Sequence, residues 1–174
     1  TCTDNSCPIA GVNGVDGRAL YFDGIDDYLH VNVVGDVIRL DDGSYDDFAG
    51  GQTPNVQSIS VWVNGSEGTI FNRGREADGY HFQVDFGRVS YIDGFNNYTT
   101  AEFDMPVNEW THLVVAISDS GIIRVYVNGV RVVTTLDTGH TSADSVTGDW
   151  HIGANHGTQN HFKGYMDDLR FYEI

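Results

Sequence analysis

Short runs of alternating apolar and polar residues, separated by turn residues, occupy most of the chain. In Ser58–Val63, SISVWV, the apolar residues Ile59, Val61 and Val63 fall on one face. This period of two is typical of a β-strand that buries one face. Trp110–Ser118, WTHLVVAIS, is apolar on both faces in its middle and therefore predicts a central strand. No helical period extends beyond about two turns.

A two-residue turn signal supports the same fold class. Asn128-Gly129 separates the strand-like segments Ile122–Val127 and Val130–Leu136, and Asn-Gly is the strongest short hairpin signal. About a dozen short strands with frequent turns predict an all-β sandwich. The other predicted strands are Ala19–Phe22, Tyr28–Val34, Thr69–Asn72, Tyr80–Phe86, Val89–Ile92, Trp150–Ile152 and Met166–Tyr172.

Two similar segments lie near the ends of the chain. Arg18–Val33, RALYFDGIDDYLHVNV, and Phe162–Tyr172, FKGYMDDLRFY, each join an apolar run to an Asp-Asp pair. Terminal strands often lie side by side in a β-sandwich, and their pairing would gather four carboxylates. Such a cluster is tolerable only with a cation or with wide solvent exposure.

Carboxylate oxygens of this kind suit Ca²⁺, which takes 6–8 oxygen ligands. Adjacent residues of a strand point to opposite faces, which favours Asp26 and Asp168 as the members that face the ion. The alternative is that these aspartates cap turns and accept backbone N–H bonds. The candidate calcium ligands are Asp23, Gly24 through its carbonyl, Asp26, Asp27, Asp167 and Asp168.

Composition narrows the classes of partner. At 174 residues with 40% hydrophobic residues, the chain can form one domain with a sizeable core. The net charge of −16 argues against nucleic acid and anionic membranes, since both require a basic surface. No apolar run approaches about 18 residues, so we expect no membrane insertion. The 20 Asp against 5 Glu fit calcium-binding loops and also fit a saline habitat, and both explanations stay open.

The two cysteines, Cys2 and Cys7, are close enough for a local disulfide that pins only the N-terminal tail. Such a pair favours an extracellular or cell-surface location over a redox or zinc role. We expect a tail over residues 1–16 and a single domain over residues 17–174, cut from a larger secreted or surface protein.

The segments ALYFDGIDDYL, SISVWV, WTHLVVAI, IRVYVNGVRV, IGAN and FKGYMDDLRFY occur in an order that resembles laminin G-like domains. These belong to the concanavalin A-like lectin and glucanase superfamily of jelly rolls, and the likeness covers residues 17–174. The resemblance implies two antiparallel sheets packed face to face, adjacent terminal strands and a frequent Ca²⁺ site near those strands or at one rim. Members mostly bind glycans or protein partners, and a minority are glycoside hydrolases or lyases.

Saccharides are bound by aromatic rings that stack on the sugar and by polar groups that fix its hydroxyls. The loops Arg73–Tyr80, Ile92–Tyr98 and Asn155–Phe162 supply both kinds of residue, although each one alone could be an ordinary turn residue. Trp62 and Trp110 we assign to the core. The candidate ligand-binding residues are Arg75, Asp78, Tyr80, Tyr91, Phe95, Asn97, Tyr98, Asn155 and His156.

The sequence contains few features that indicate a catalytic function. Glu102-Phe103-Asp104 begins a Glu-x-Asp-x-x-Glu pattern, but Val107 stands where the second glutamate of a retaining glycosidase is required. His151, His156 and His161 recur every five residues, a spacing that fits no zinc motif.

We therefore expect a non-catalytic, calcium-stabilised, lectin-like module that is monomeric and binds a glycan or polysaccharide. The alternative is a structural or adhesion module that contacts a surface protein, and a glycoside hydrolase or lyase relative is the third hypothesis.

Overall fold

A computed structural model describes residues 7–31, 37–39, 45–47, 56–73, 80–85, 88–93, 97–102, 105–106, 108–117, 122–136, 150–156 and 159–173. These residues form strands without any helix, which confirms the predicted all-β class. The strands are β1 (Ile9–Asn13), β2 (Arg18–Asp23), β3 (Leu29–Val31), β4 (Val37–Arg39), β5 (Tyr45–Asp47), β6 (Val56–Arg73), β7 (Tyr80–Asp85), β8 (Arg88–Asp93), β9 (Asn97–Glu102), β10 (Thr111–Ile117), β11 (Ile122–Val127), β12 (Val130–Leu136), β13 (Trp150–Ile152) and β14 (Lys163–Glu173).

The long strand β6 belongs to two layers. Its first half pairs with β10 and β14, and its second half pairs with β7 and β13. We call the layer β1-β2-β14-β6-β10-β11-β12 the front sheet, and the layer of β3, β13, β6, β7, β8 and β9 the back sheet. Gly68 lies between the two halves with φ +107°, and a Cβ there would overlap the backbone of Phe162. Glycine therefore allows the close approach by which β6 passes from one sheet to the other.

The hydrophobic core lies between the two sheets. The predicted alternation along β6 is confirmed, since Ile59, Val61 and Val63 are at most 2% exposed. The back sheet contributes side chains such as Phe82 and Val84, which are fully buried. The other core residues are Phe22, Ile70, Phe71, Val89, Leu113, Val115, Ile123, Val125, Trp150, Phe162 and Met166.

The strands near the two ends of the chain are adjacent, as predicted. β2 pairs with β14, with Asp23 opposite Lys163 and Leu20 opposite Met166. Part of the predicted N-terminal tail is also ordered, because β1 pairs with β2 and forms the edge of the front sheet. Cys7 is disulfide-bonded, whereas Cys2 lies outside the described residues, so its pairing with Cys7 stays a prediction.

The hairpin at Asn128-Gly129 is confirmed. Both residues have positive φ, 50° and 78°, as a type I′ turn requires. The Asn128 side chain also accepts a hydrogen bond of 2.9 Å from the backbone N–H of His112. The turn is thereby tied to the neighbouring strand β10.

The assignment of Trp62 and Trp110 to the core is wrong. Trp62 lies between Val61 and Val63 on β6, so its side chain points away from the core, where it stacks on His112. Trp110 immediately precedes β10, and its ring lies 6.4 Å from that of Tyr165. Both tryptophans remain partly exposed. The strand alternation, rather than the size of the ring, decides where Trp62 points.

Candidate functional site

A tight turn of three aspartates follows β2. Asp23 Oδ1 accepts backbone hydrogen bonds from Ile25 at 2.7 Å and from Asp26 at 3.3 Å. Asp27 Oδ2 accepts a bond of 2.8 Å from the backbone N–H of Asp23. Gly24 has φ +80°, and a Cβ there would lie 2.8 Å from Lys163 Cβ, so only glycine fits this turn. We call residues 23–27 the acidic turn.

The acidic turn brings three carboxylates together. Asp23, Asp26 and Asp27 each offer an oxygen, and these oxygens lie within 4.8 Å of one another. Asp27 is only 3% exposed, whereas Asp26 is exposed. Burial raises the pKa of Asp27, and the charges of Asp23 and Asp26 raise it further. The hydrogen bond from Asp23 N–H and the charge of His161 act in the opposite direction without cancelling the rise in pKa. An all-oxygen group with one open side has the donors that a hard cation such as Ca²⁺ prefers.

The pKa shift predicts how stability depends on pH in the presence of a chelator. Because the pKa of Asp27 lies above its ordinary value of 3.8, there is a pH range in which Asp27 keeps its proton in the folded chain and has lost it in the unfolded chain. The stabilisation is complete below pH 3.8 and is lost as the pH rises through the raised pKa. Melting temperatures of the wild type relative to Asp27→Asn should therefore increase as the pH falls. A difference that stays constant with pH would contradict this interpretation.

The second Asp pair does not join the acidic turn, which corrects the expectation of one four-carboxylate cluster. Opposite Asp23 stands Lys163, and Asp167 lies four residues further along β14, roughly 13 Å away along the strand. Asp167 Oδ2 accepts hydrogen bonds from the backbone of Val15 at 2.7 Å and of Asp16 at 2.8 Å. Asp167 therefore ties the β1–β2 turn to β14.

Asp168 has a different role from the one predicted. It adopts φ 51° at a bulge of β14, and its Oδ1 accepts a hydrogen bond of 2.6 Å from Arg170 Nε. This paired carboxylate is not within reach of the acidic turn, since the register holds the two regions apart. The structure thus supports Asp23, Asp26 and Asp27 as a group and leaves Asp167 and Asp168 outside it.

A row of histidines covers the outer side of the back sheet next to the acidic turn. The rings of His30 and His151 stack with centroids 4.9 Å apart, and His156 lies 6.4 Å from His151. His156 also contacts His81, with ring centroids 5.9 Å apart. The His81 Nε2 atom lies 3.1 Å from Asn72 Nδ2, and Asn72 is fully buried. We call these five residues the histidine row.

The loop after β13 holds His156 in place. The backbones of Asn155 and Gln159 exchange two hydrogen bonds, and Phe162 N–H donates to the carbonyl of Gly153 at 2.8 Å. His156 N–H donates to Asn72 Oδ1 at 3.2 Å. Among the described residues, His156 Nε2 and Asn155 Oδ1 are buried without a hydrogen-bond partner. Both predicted ligand residues of this loop therefore keep an unused polar atom.

The acidic turn and the histidine row meet at one rim of the sandwich. His161 Nδ1 lies 3.4 Å from the carbonyl oxygen of Asp27. The ring of Tyr28, the next residue along, lies 6.0 Å from that of His151. We call this combined region the rim site.

The structure describes only some of the other predicted ligand residues. Tyr80 begins β7, Tyr91 lies in β8, and Asn97 and Tyr98 begin β9. The register puts Tyr98 opposite Ile92, which in turn pairs with His81, so these backbone positions share one end of the back sheet. Arg75, Asp78 and Phe95 lie outside the described residues.

Sequence reasoning does not find most of the histidine row. Asn72, His81 and His151 each adjoin a buried aromatic residue, namely Phe71, Phe82 and Trp150. A polar residue at the alternate position of an otherwise buried strand is the signal that could have revealed them. Within the part of the chain that the structure describes, the histidines form no group with the geometry of metal ligands.

The two-layer architecture with paired terminal strands defines a lectin-like β-sandwich. The family model Laminin_G_3, of the concanavalin A-like lectin/glucanases superfamily, matches residues 36–174. The chain belongs to this family. A search of curated protein sequences finds no match.

Several solved structures share the fold at low sequence identity. Domain 4 of AbnA, an extracellular GH43 arabinanase from Geobacillus stearothermophilus in complex with arabinotriose, is 20% identical with a TM-score of 0.68, over 98% of this chain and 77% of that chain. The CBM40 of Ruminococcus gnavus IT-sialidase bound to α2,3 sialyllactose is 13% identical with a TM-score of 0.61, over 86% and 92%. The botulinum neurotoxin serotype D ligand-binding domain with N-acetylneuraminic acid is 14% identical with a TM-score of 0.65, over 95% and 41%. The chain thus spans less than half of that neurotoxin domain.

The described part of the chain contains no helix with the length and hydrophobicity needed to cross a membrane.

Proposed function

We propose that this chain is a calcium-stabilised, non-catalytic carbohydrate-binding module of a secreted or cell-surface protein. One observation carries the proposal: an acidic turn and a polar loop with unused hydrogen-bonding atoms meet at the same rim. The contact of His161 with the Asp27 carbonyl joins the two parts. An ion that fixes the acidic turn would therefore also stabilise the position of His161 and of the loop to which His161 belongs.

Calcium would be held by the carboxylates of Asp23, Asp26 and Asp27, with the Gly24 carbonyl as a further ligand. The support is electrostatic, because three carboxylates with oxygens within 4.8 Å repel one another and one of them is buried. When bound, the ion supplies positive charge that removes this repulsion. The backbone bonds to Asp23 and Asp27 hold the carboxylates in place for that purpose.

The glycan would be bound by the loop that follows β13. A rotation of the partly exposed His156 and Asn155 side chains would turn their buried, unpartnered Nε2 and Oδ1 atoms toward a sugar hydroxyl, whose donor and acceptor they match. Tyr28, partly exposed beside His151, offers an aromatic ring for stacking. Folds of this kind that carry arabinotriose, sialyllactose or N-acetylneuraminic acid support a saccharide ligand.

The calcium site is tested by calorimetric titration of Ca²⁺ into the wild type and Asp26→Asn. Asp26 is exposed, so this variant should fold normally and bind Ca²⁺ about tenfold more weakly or worse. Asp85→Asn, an exposed aspartate on β7, is the matched control and should bind like the wild type. Equal affinity of all three proteins, or no binding by any, would overturn the calcium site.

The glycan site is tested by His156→Ala and Asn155→Ala in a binding assay against the glycan that the wild type prefers. Each variant should lose about tenfold in affinity, since each removes a hydrogen bond to the sugar. Gln159→Ala changes an exposed residue of the same loop and should keep full affinity. Unchanged binding by both loop variants would show that the glycan does not bind at the rim site.

A second candidate function is a protein-interaction module. The edge strand β1 is exposed along its length, with Ile9 64% and Val12 38% exposed. Such an edge can pair with a strand of another chain. If the wild type binds a surface-protein partner and Val12→Pro no longer binds it, this candidate function is favoured over the lectin.

A further inference from the structure

The outer face of the front sheet carries a cluster of aromatic rings that the core does not use. Trp62 stacks on His112 with ring centroids 4.8 Å apart and 30° between the planes. The rings of Tyr21 and Tyr165 lie 4.9 Å apart, and Trp110 lies 6.4 Å from Tyr165. All five residues are partly exposed. Rings held in this way offer flat surfaces on which a sugar can stack.

Two arginines share this face. Val125 is fully buried, so its neighbours Arg124 and Tyr126 project to the opposite, outer side of β11. Arg131 pairs directly with Tyr126 and therefore lies on the same side. Among the described residues, neither Arg124 nor Arg131 has an ion-pair partner.

These unpaired charges are unusual in an acidic protein. The chain has only nine Lys and Arg against 25 Asp and Glu. Repulsion of an anion by acids that lie beyond roughly 8–10 Å is screened at physiological salt, and the charge of Asp168, which reaches His112, is balanced by Arg170. Arg170 on the same sheet is paired with Asp168, whereas Arg124 and Arg131 are two arginines of one outer face that can bind an anion together.

His112 adds a neutral group between the rings and the arginines. Burial lowers the pKa of His112, and the charge of Asp168 only partly opposes this. A neutral imidazole both donates and accepts, which suits a sugar hydroxyl. Trp62 pairs with His112, and Arg124 pairs with Ala116, four residues further along β10, so the stack and the arginine lie roughly 15 Å apart on the sheet. That span fits a short oligosaccharide.

We propose that this face is a second saccharide-binding site, selective for a carboxylated glycan and independent of calcium. The rings of Trp62 and Tyr165 stack on the sugar, and the guanidinium groups of Arg124 and Arg131 bind its carboxylate, which they match in geometry and charge. The inference goes beyond the proposed function, since the rim site consists of the acidic turn and the histidine row, and none of its residues belongs to the aromatic cluster or the arginine pair of the front sheet. Either site can fail without the other.

The test is a titration of the full chain in EDTA, followed by tryptophan fluorescence, with three pairs of probes. Each pair contrasts an acidic saccharide with a neutral counterpart: sialyllactose with lactose, oligogalacturonate with its methyl ester, and a hyaluronan oligosaccharide with a cello-oligosaccharide. We expect at least one acidic probe to bind at least about tenfold more tightly than its neutral partner. That binding should also weaken as salt increases.

Variants separate this site from the rim site. Trp62→Ala, and the double variant Arg124→Gln with Arg131→Gln, should each weaken the acidic probe by about tenfold or more. Arg88→Gln removes an exposed charge from the back sheet, and His156→Ala alters the rim site, so both should bind like the wild type. Circular dichroism checks that each variant is folded.

The inference is overturned by any of three results. Acidic and neutral probes bind equally or not at all, the front-sheet variants bind like the wild type, or binding in EDTA is lost with His156→Ala rather than Trp62→Ala.

Discussion

Replacing Phe162 by alanine is expected to lower the free energy of unfolding by about 3–5 kcal/mol, the range typical of a fully buried phenylalanine. Phe162 is fully buried and meets Phe22 edge to face, with ring centroids 6.0 Å apart. It also lies directly against Gly68, where β6 passes between the sheets. The alanine variant leaves a cavity at this junction that the rigid backbone of β6 cannot fill.

Urea denaturation of the wild type, Phe162→Ala and Phe162→Leu measures this effect. Leucine keeps much of the buried volume and should lose roughly half as much stability or less. The alanine variant should also bind the rim ligand more weakly, because the buried Phe162 side chain anchors the loop that holds His156, which the bond from Phe162 N–H to Gly153 closes. Similar stabilities for the alanine variant and the wild type would show that the two sheets do not depend on this contact.

Calcium is expected to raise the melting temperature of the wild type and to have no such effect on Asp27→Asn. An ion at about 100 times its dissociation constant stabilises the fold by about 2.7 kcal/mol, which for a chain of this size corresponds to roughly 5–10 °C. In EDTA, Asp27→Asn should melt at a higher temperature than the wild type, because the substitution removes a buried charge from the repulsive group. The amide oxygen of the asparagine can still accept a hydrogen bond from Asp23 N–H.

Thermal melts of wild type, Asp27→Asn and Asp85→Asn in calcium and in EDTA test this prediction. The Asp85→Asn control should respond to calcium like the wild type, since Asp85 lies on β7 away from the turn. A calcium response of the same size in Asp27→Asn would exclude the acidic turn as the ion's location.

The strands could be predicted because their signals are local. The alternation in β6 and the Asn128-Gly129 turn each depend on a few neighbouring residues, and both are confirmed. The family could be predicted because the segments occur in a characteristic order, and the family match over residues 36–174 confirms it.

The offset between the two Asp pairs could not be predicted so simply. In an antiparallel pair, two motifs with the same internal order run in opposite directions, so their acidic ends separate. The end of β2 therefore meets Lys163, and Asp167 lies beside the β1–β2 turn. The similarity of the two motifs suggests a shared site that the direction of the strands rules out.

The histidine row escapes prediction because its members are distant in sequence. Asn72, His81 and His151 come from three strands that are paired side by side only in the folded chain. A single isolated histidine carries no signal of its partners. Asn155 and His156 are noticeable in the sequence because they lie in a polar, glycine-flanked loop, and their role as glycan ligands stays a prediction.

The most direct test of the central proposal is a glycan and polysaccharide binding screen of the folded chain, run in calcium and again in EDTA. The proposal predicts at least one ligand that binds in calcium, is lost in EDTA, and is weakened by His156→Ala. A folded protein that binds no glycan in either buffer would contradict the proposal and favour a structural or protein-interaction module.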